Sequence, residues 1–150
     1  MKLKLKFILL LMIACCFSKA NAQYNKALAD SLGADEYGMK MYYFVILKTG
    51  KAEVKDDATM KILFRGHMDN IIRLSNEGKL IVAGPLEENP NKYRGIFIFK
   101  ANSKEEVEEY LKADPAISTG IFESEIYNWY GSAALPAYLP FHQQIEMKKH

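Results

Sequence analysis

A chain of 150 residues that is 49% apolar is long enough for one domain with its own core, and its composition is ordinary for a globular protein. Four lysines and no acid lie in the first 22 residues, so losing that stretch would take the formal charge from +2 to −2, and nucleic-acid binding would then have no electrostatic support. Both cysteines, Cys15 and Cys16, lie in the same stretch, which leaves the remainder without a disulfide, a thiol nucleophile or a thiolate metal site.

Residues 1–22 read as a signal peptide. Lys2, Lys4 and Lys6 form a basic start, Phe7 to Phe17 an apolar run too short to span a bilayer, and Ala20-Asn21-Ala22 a small-residue cleavage site before Gln23. The expected location is secreted or periplasmic. A lipoprotein signal through Cys15 is the alternative, and Ile13-Ala14-Cys15 supplies half of that motif. No second apolar segment is long enough to cross a membrane, so no membrane contact is expected after cleavage.

Residues 23–40 are polar and read as an N-terminal arm, with a helical turn near Ala27 to Leu32. The domain proper is expected over 41–130. Met41 to Leu47 is a strand of aromatic and branched residues. Asp56 or Asp57 caps a helix running to about Glu77. Gly66 lies inside it at a cost of about 1 kcal/mol against alanine, which points to a kink or a late start. Gly78 stops the helix, Leu80 to Ala83 is a short buried strand, and Gly84-Pro85 ends it. Gly95 to Lys100 is a third strand. Ser103 with Glu106 forms a capping box that opens a second helix through Val107, Tyr110 and Leu111. Asp114-Pro115 begins a short turn, and Ile121 to Tyr130 is the fourth strand. Residues 131–150, with Pro136 and Pro140, form a C-terminal tail.

The order β-α-β-β-α-β predicts an α+β, ferredoxin-like fold: a four-stranded antiparallel sheet with two helices on one face. The strands are apolar on both sides. Tyr43, Val45 and Leu47 oppose Tyr42, Phe44 and Ile46, and Phe97 and Phe99 oppose Ile96 and Ile98. Two helices cover only one face, so the other must be buried by something else. The simplest cover is the same face of a second copy, a homodimer; the tail is the alternative cover.

Familiar catalytic signatures are absent: no HExxH, GxSxG, P-loop or EF-hand sequence occurs. His67 and Asp69 point different ways on a helix and make a poor metal pair. No metal and no cofactor is therefore expected. His142 and His150 lie in the tail and read as solvated. His67 stands on the buried face, with Leu63 and Phe64 one turn before it and Ile71 one turn after. It is either a core histidine with one hydrogen bond or a general acid/base oriented by a carboxylate. Asp114 is the carboxylate in view, or else only the cap of the turn that follows it. Arg94 is either an anion-binding group or an exposed strand-end charge. Gly84 and Pro85 border the same region. Trp129 and Tyr130 wall a pocket or pack a dimer.

Taken in order, His67, Gly78-Lys79-Leu80, Ala83-Gly84-Pro85, Gly95 to Phe99, and Lys112-Ala113-Asp114-Pro115 with Gly120 resemble the YCII-related domain family over about Met41 to Trp129. The resemblance implies a dimeric α+β barrel. It also implies that the histidine and aspartate matching His67 and Asp114 face a cleft near the dimer seam as an acid/base pair. Some members of that family act on small ring compounds, and the fold is similar to that of muconolactone isomerases. The expected function is an exported acid/base enzyme, lyase or isomerase in type, on a small ring or aromatic-derived substrate. The expected site is His67 and Asp114 for catalysis, with Arg94, Gly84, Pro85 and Trp129 around the substrate. A non-catalytic small-ligand-binding or scaffold dimer is the alternative.

Overall fold

The structure, a computed structural model, describes residues 24–148; the leader reading of residues 1–22 and His150 lie outside them. Helix α1 (Lys26–Leu32) starts under an Asn25 cap and ends at Gly33, which is left-handed at φ 68°. Strand β1 (Met39–Thr49) follows. Helix α2 (Asp57–Asn76) is capped by Asp56, whose carboxylate accepts the Ala58 and Thr59 amides. It closes in a glycine stop at Gly78 (φ 67°), where the Gly78 amide donates to Ser75 and the Lys79 amide to Leu74. Strands β2 (Leu80–Pro85) and β3 (Tyr93–Phe99) form a hairpin. Helix α3 (Lys104–Lys112) opens at Ser103, whose hydroxyl accepts the Glu106 amide. One-turn helix α4 (Pro115–Ser118), strand β4 (Phe122–Ser132), a 3-10 turn (Leu135–Tyr138) and helix α5 (Leu139–Ile145) complete the chain.

All strand pairs are antiparallel, in the order β2-β3-β1-β4. This is the expected ferredoxin-like α+β arrangement. The register sorts the side chains into two faces. Tyr43 pairs with Phe99 and Val45 with Phe97 on the helix side, while Phe44 pairs with Ile98 and Ile46 with Ile96 on the other. The helix-side core joins Val45, Leu47, Phe97 and Phe99 to Leu74 of α2, Val107 and Leu111 of α3, and Ala116 of α4.

Two features differ from the sequence reading, and a third follows its alternative, the tail as cover. The sheet takes in part of the arm, because Met39 and Lys40 continue the β1–β4 ladder opposite Ser132 and Gly131. Helix α2 runs unbroken from Asp57 through Gly66, so it does not start late. The glycine serves a close approach instead: a Cβ there would stand 2.7 Å from Pro115 Cγ. The second sheet face is partly covered by the chain's own C-terminal segment. Leu135 and Leu139 pack against Tyr42, Ile81 and Ile98, and the Tyr138 hydroxyl donates to the Ile81 carbonyl.

Candidate active site

The contact permitted by Gly66 brings the middle of α2 onto the corner that opens α4. His67 is the next residue on α2, and Asp114 is the cap of α4. His67 Nδ1 lies 2.7 Å from Asp114 Oδ2. The other carboxylate oxygen, Oδ1, accepts the Ala116 amide at 2.9 Å and the Ile117 amide at 3.4 Å. The two readings of Asp114, cap and histidine partner, are thus both met, one by each oxygen. Because the carboxylate accepts, Nδ1 is assigned the ring proton and Nε2 is left as an acceptor.

Asp114 is fully buried and His67 is 8% exposed. Three aromatic rings enclose the imidazole, with centroids at 5.4 Å for Phe122, 6.0 Å for Phe97 and 6.3 Å for Phe64. Asn70, one turn further along α2, donates to the Tyr110 carbonyl at 3.3 Å and ties α2 to the end of α3. Among the described residues Nε2 has no hydrogen-bond partner, yet no buried side-chain nitrogen or oxygen there is left unpaired. Nε2 is therefore the ring atom that meets open space.

That space is a cavity of about 530 Å³ running along the edge strand β2, within the range of small-molecule sites. His67, Phe64, Met68 and Ile71 of α2 form one side; Gly84, Pro85 and Arg94 of the hairpin also line it. Arg94 is exposed, and its guanidinium has no ion pair among the described residues. Five of the six expected site residues are thereby brought together: His67, Arg94, Gly84 and Pro85 in the wall, with Asp114 behind His67. Trp129 lies elsewhere. It stands opposite Tyr42 in the ladder, on the sheet face turned away from α2, with the two ring centroids 5.7 Å apart. A Cβ on Gly131 would meet its indole at 2.3 Å, so the ring lies over that glycine.

Sequence reasoning missed the ring cage and the far wall. Phe97 and Phe122 were visible only as strand residues. His142, read as solvated, lines the same cavity as His67, together with Tyr138 and Leu139. The available signal was the spacing of Leu135, Tyr138, Leu139 and His142, one apolar stripe at helical intervals. Among the described residues no cluster of His, Cys, Asp and Glu is arranged to hold a metal ion, and no helix is long and apolar enough to cross a membrane.

The family model of the YCII-related domain matches residues 41–130. No curated protein matches the chain. Among solved structures the chain is similar to 5-chloro-2-hydroxyhydroquinone dehydrochlorinase from Burkholderia phenoliruptrix AC1100, in its complex with 2,5-dihydroxybenzoquinone. That similarity is 20% identity over 58% of this chain and 92% of that one, with a TM-score of 0.42.

Proposed function

The chain belongs to the YCII-related domain family, and from that premise we propose that it is an acid/base enzyme of lyase or isomerase type acting on a small ring compound. The observation that carries the reading is the 2.7 Å contact of His67 Nδ1 with Asp114, which leaves Nε2 facing the cavity. Asp114 holds the ring orientation and the tautomer, and it stabilises the imidazolium once Nε2 has taken a proton. The substrate proton leaves to Nε2. The same nitrogen then returns it to another atom of the ring compound, or to a departing group. The phenyl rings around the imidazole exclude water from the transfer.

The test is turnover of small cyclic acids, lactones and hydroxylated rings by the mature protein and by His67→Gln. The expected result is a loss of about a hundredfold or more in the variant, with an unchanged circular dichroism spectrum. Turnover that survives in His67→Gln rejects the role.

Two further parts of the reading concern assembly and location. We propose a homodimer through the sheet face opposite α2, supported by the exposed Tyr127 and Trp129 beside half-buried Phe44, Ile46 and Ile96. Light scattering should give twice the protomer mass, and a monomer at all concentrations rejects it. We also propose export, supported by the basic start, apolar run and small-residue site of residues 1–22. N-terminal sequencing of the exported protein should begin at Gln23, and retention of Met1 rejects cleavage there.

A further inference from the structure

The C-terminal segment is anchored on one side of strand β2 and reaches the cavity that opens on the other. Leu135 and Leu139 pack on Tyr42, Ile81 and Ile98 of the sheet. The Tyr138 hydroxyl is bonded to the Ile81 carbonyl. Pro136 and Pro140, each near the start of its turn, pre-set the backbone there. Ile81, Ala83 and Gly84 line the cavity from the strand, and Tyr138, Leu139 and His142 line it from the segment. The segment therefore wraps the sheet edge and closes the side that the domain itself leaves open.

The charge of this wall is one-sided. The titratable side chains lining the cavity include Arg94 and two histidines, and none of the lining residues is acidic. Asp114 lies behind His67 and already accepts from three donors. The remaining surface is dominated by Phe64, Phe97, Phe122 and aliphatic side chains. A guanidinium without a carboxylate partner, in a ring-lined cavity, suits a flat apolar body carrying one planar anionic group.

We propose that the C-terminal turn and helix are a built wall of the ligand site, and that the site takes a small ring carboxylate. The carboxylate lies on Arg94 with His142 as a second hydrogen-bonding group, and the ring lies against Phe64, Phe97, Phe122 and Tyr138. The proposal rests on the cavity of the proposed function but not on catalysis by His67, because it is read by binding alone.

The experiment is calorimetric titration of the mature chain with benzoate, cyclohexanecarboxylate and the neutral benzamide, joined to amide NMR shifts over Leu135–Ile145. Both acids should bind, and benzamide about tenfold more weakly or worse. Arg94→Gln should weaken benzoate by about tenfold or more and His142→Gln by about threefold. Amides of the C-terminal segment should shift on adding benzoate. Equal affinity for benzoate and benzamide, unchanged affinity in Arg94→Gln, a silent C-terminal segment, or no binding of either acid each overturns the proposal. His67→Gln separates the two readings: retained binding with lost turnover supports both, and retained binding with retained turnover removes the catalytic role alone.

Discussion

Replacing Asp114 by Asn and by Ala separates the two duties of one buried carboxylate. In Asp114→Ala the Ala116 and Ile117 amides lose their acceptor, a cap loss of about 1 kcal/mol. His67 Nδ1–H also loses its partner in a site where it is 8% exposed, worth about 1–3 kcal/mol more. The sum, about 3 kcal/mol, corresponds to roughly 10 °C in Tm for a domain of this size. In Asp114→Asn the side-chain oxygen still caps α4, and the amide group faces Nδ1 as a donor. The imidazole must then move its proton to Nε2 to accept it, and the loss falls to about 1 kcal/mol, the charge-assisted part of one hydrogen bond. Calorimetry measures the first quantity. Imidazole nitrogen shifts of the neutral ring measure the second: Nδ1–H in the wild type and Nε2–H in Asp114→Asn. Equal melting temperatures for the two variants, or one tautomer in both wild type and Asp114→Asn, would refute the assigned division of labour. Turnover in Asp114→Asn should fall with the tautomer, since the nitrogen facing the cavity is then protonated and no longer a base.

Gly66→Ala should destabilise by about 1 kcal/mol in urea unfolding, although alanine is the better helix former by about that amount, because the new methyl carbon would stand 2.7 Å from Pro115 Cγ and the overlap costs more; a net gain would show that the Pro115 corner yields freely. Burial, then the hydrogen bond to Glu106, pushes the Tyr110 phenol up to about 12. Its folded value lies above the ordinary value of about 10, so its stabilising contribution is complete below about pH 10 and is lost as pH rises towards 12. Urea midpoints between about pH 9 and 11.5 should therefore fall more steeply for wild type than for Tyr110→Phe, and parallel slopes would reject the shift. Leu139→Ala should lower stability by about 2 kcal/mol while leaving the spectroscopic signature of the His67 tautomer unchanged, since its packing partners Tyr42, Ile81 and Ile98 lie in the second cluster and not around the imidazole; an altered tautomer would show the two clusters to be coupled.

The strand and helix order was legible because local backbone chemistry marks its boundaries. Gly78 occupies a left-handed position, Gly84-Pro85 ends β2, and Ser103 with Glu106 opens α3. The burial of His67 was legible from its neighbours one turn away. Its partner was not: Asp114 lies 47 positions further on, and spacing along a chain carries no information about such a contact. The residues alone put Asp114 in view as one candidate carboxylate, and the resemblance to a family implied the pair. Asp114 itself looked like a choice between cap and partner because a carboxylate was counted as one acceptor, whereas its two oxygens take different donors. Gly66 was misjudged for the opposite reason. Helix propensity is a local quantity, and this glycine answers to a proline on another element. Trp129 falls on the far face because side chains alternate along β4 and it stands opposite Tyr42. The C-terminal wall was hidden by its prolines and polar residues, which read as a tail although Leu135, Tyr138 and Leu139 are bound to the sheet.

The wrapping of the β2 edge by residues 135–145 separates inheritance from adaptation. The histidine and its carboxylate belong to elements whose packing the whole sheet enforces, so they tolerate little change. The outer wall is a strip appended after the last strand and fastened through few side chains, so substitutions or insertions there would alter which molecules enter while His67 and Asp114 stay in place. A laboratory seeking altered selectivity would randomise that strip first.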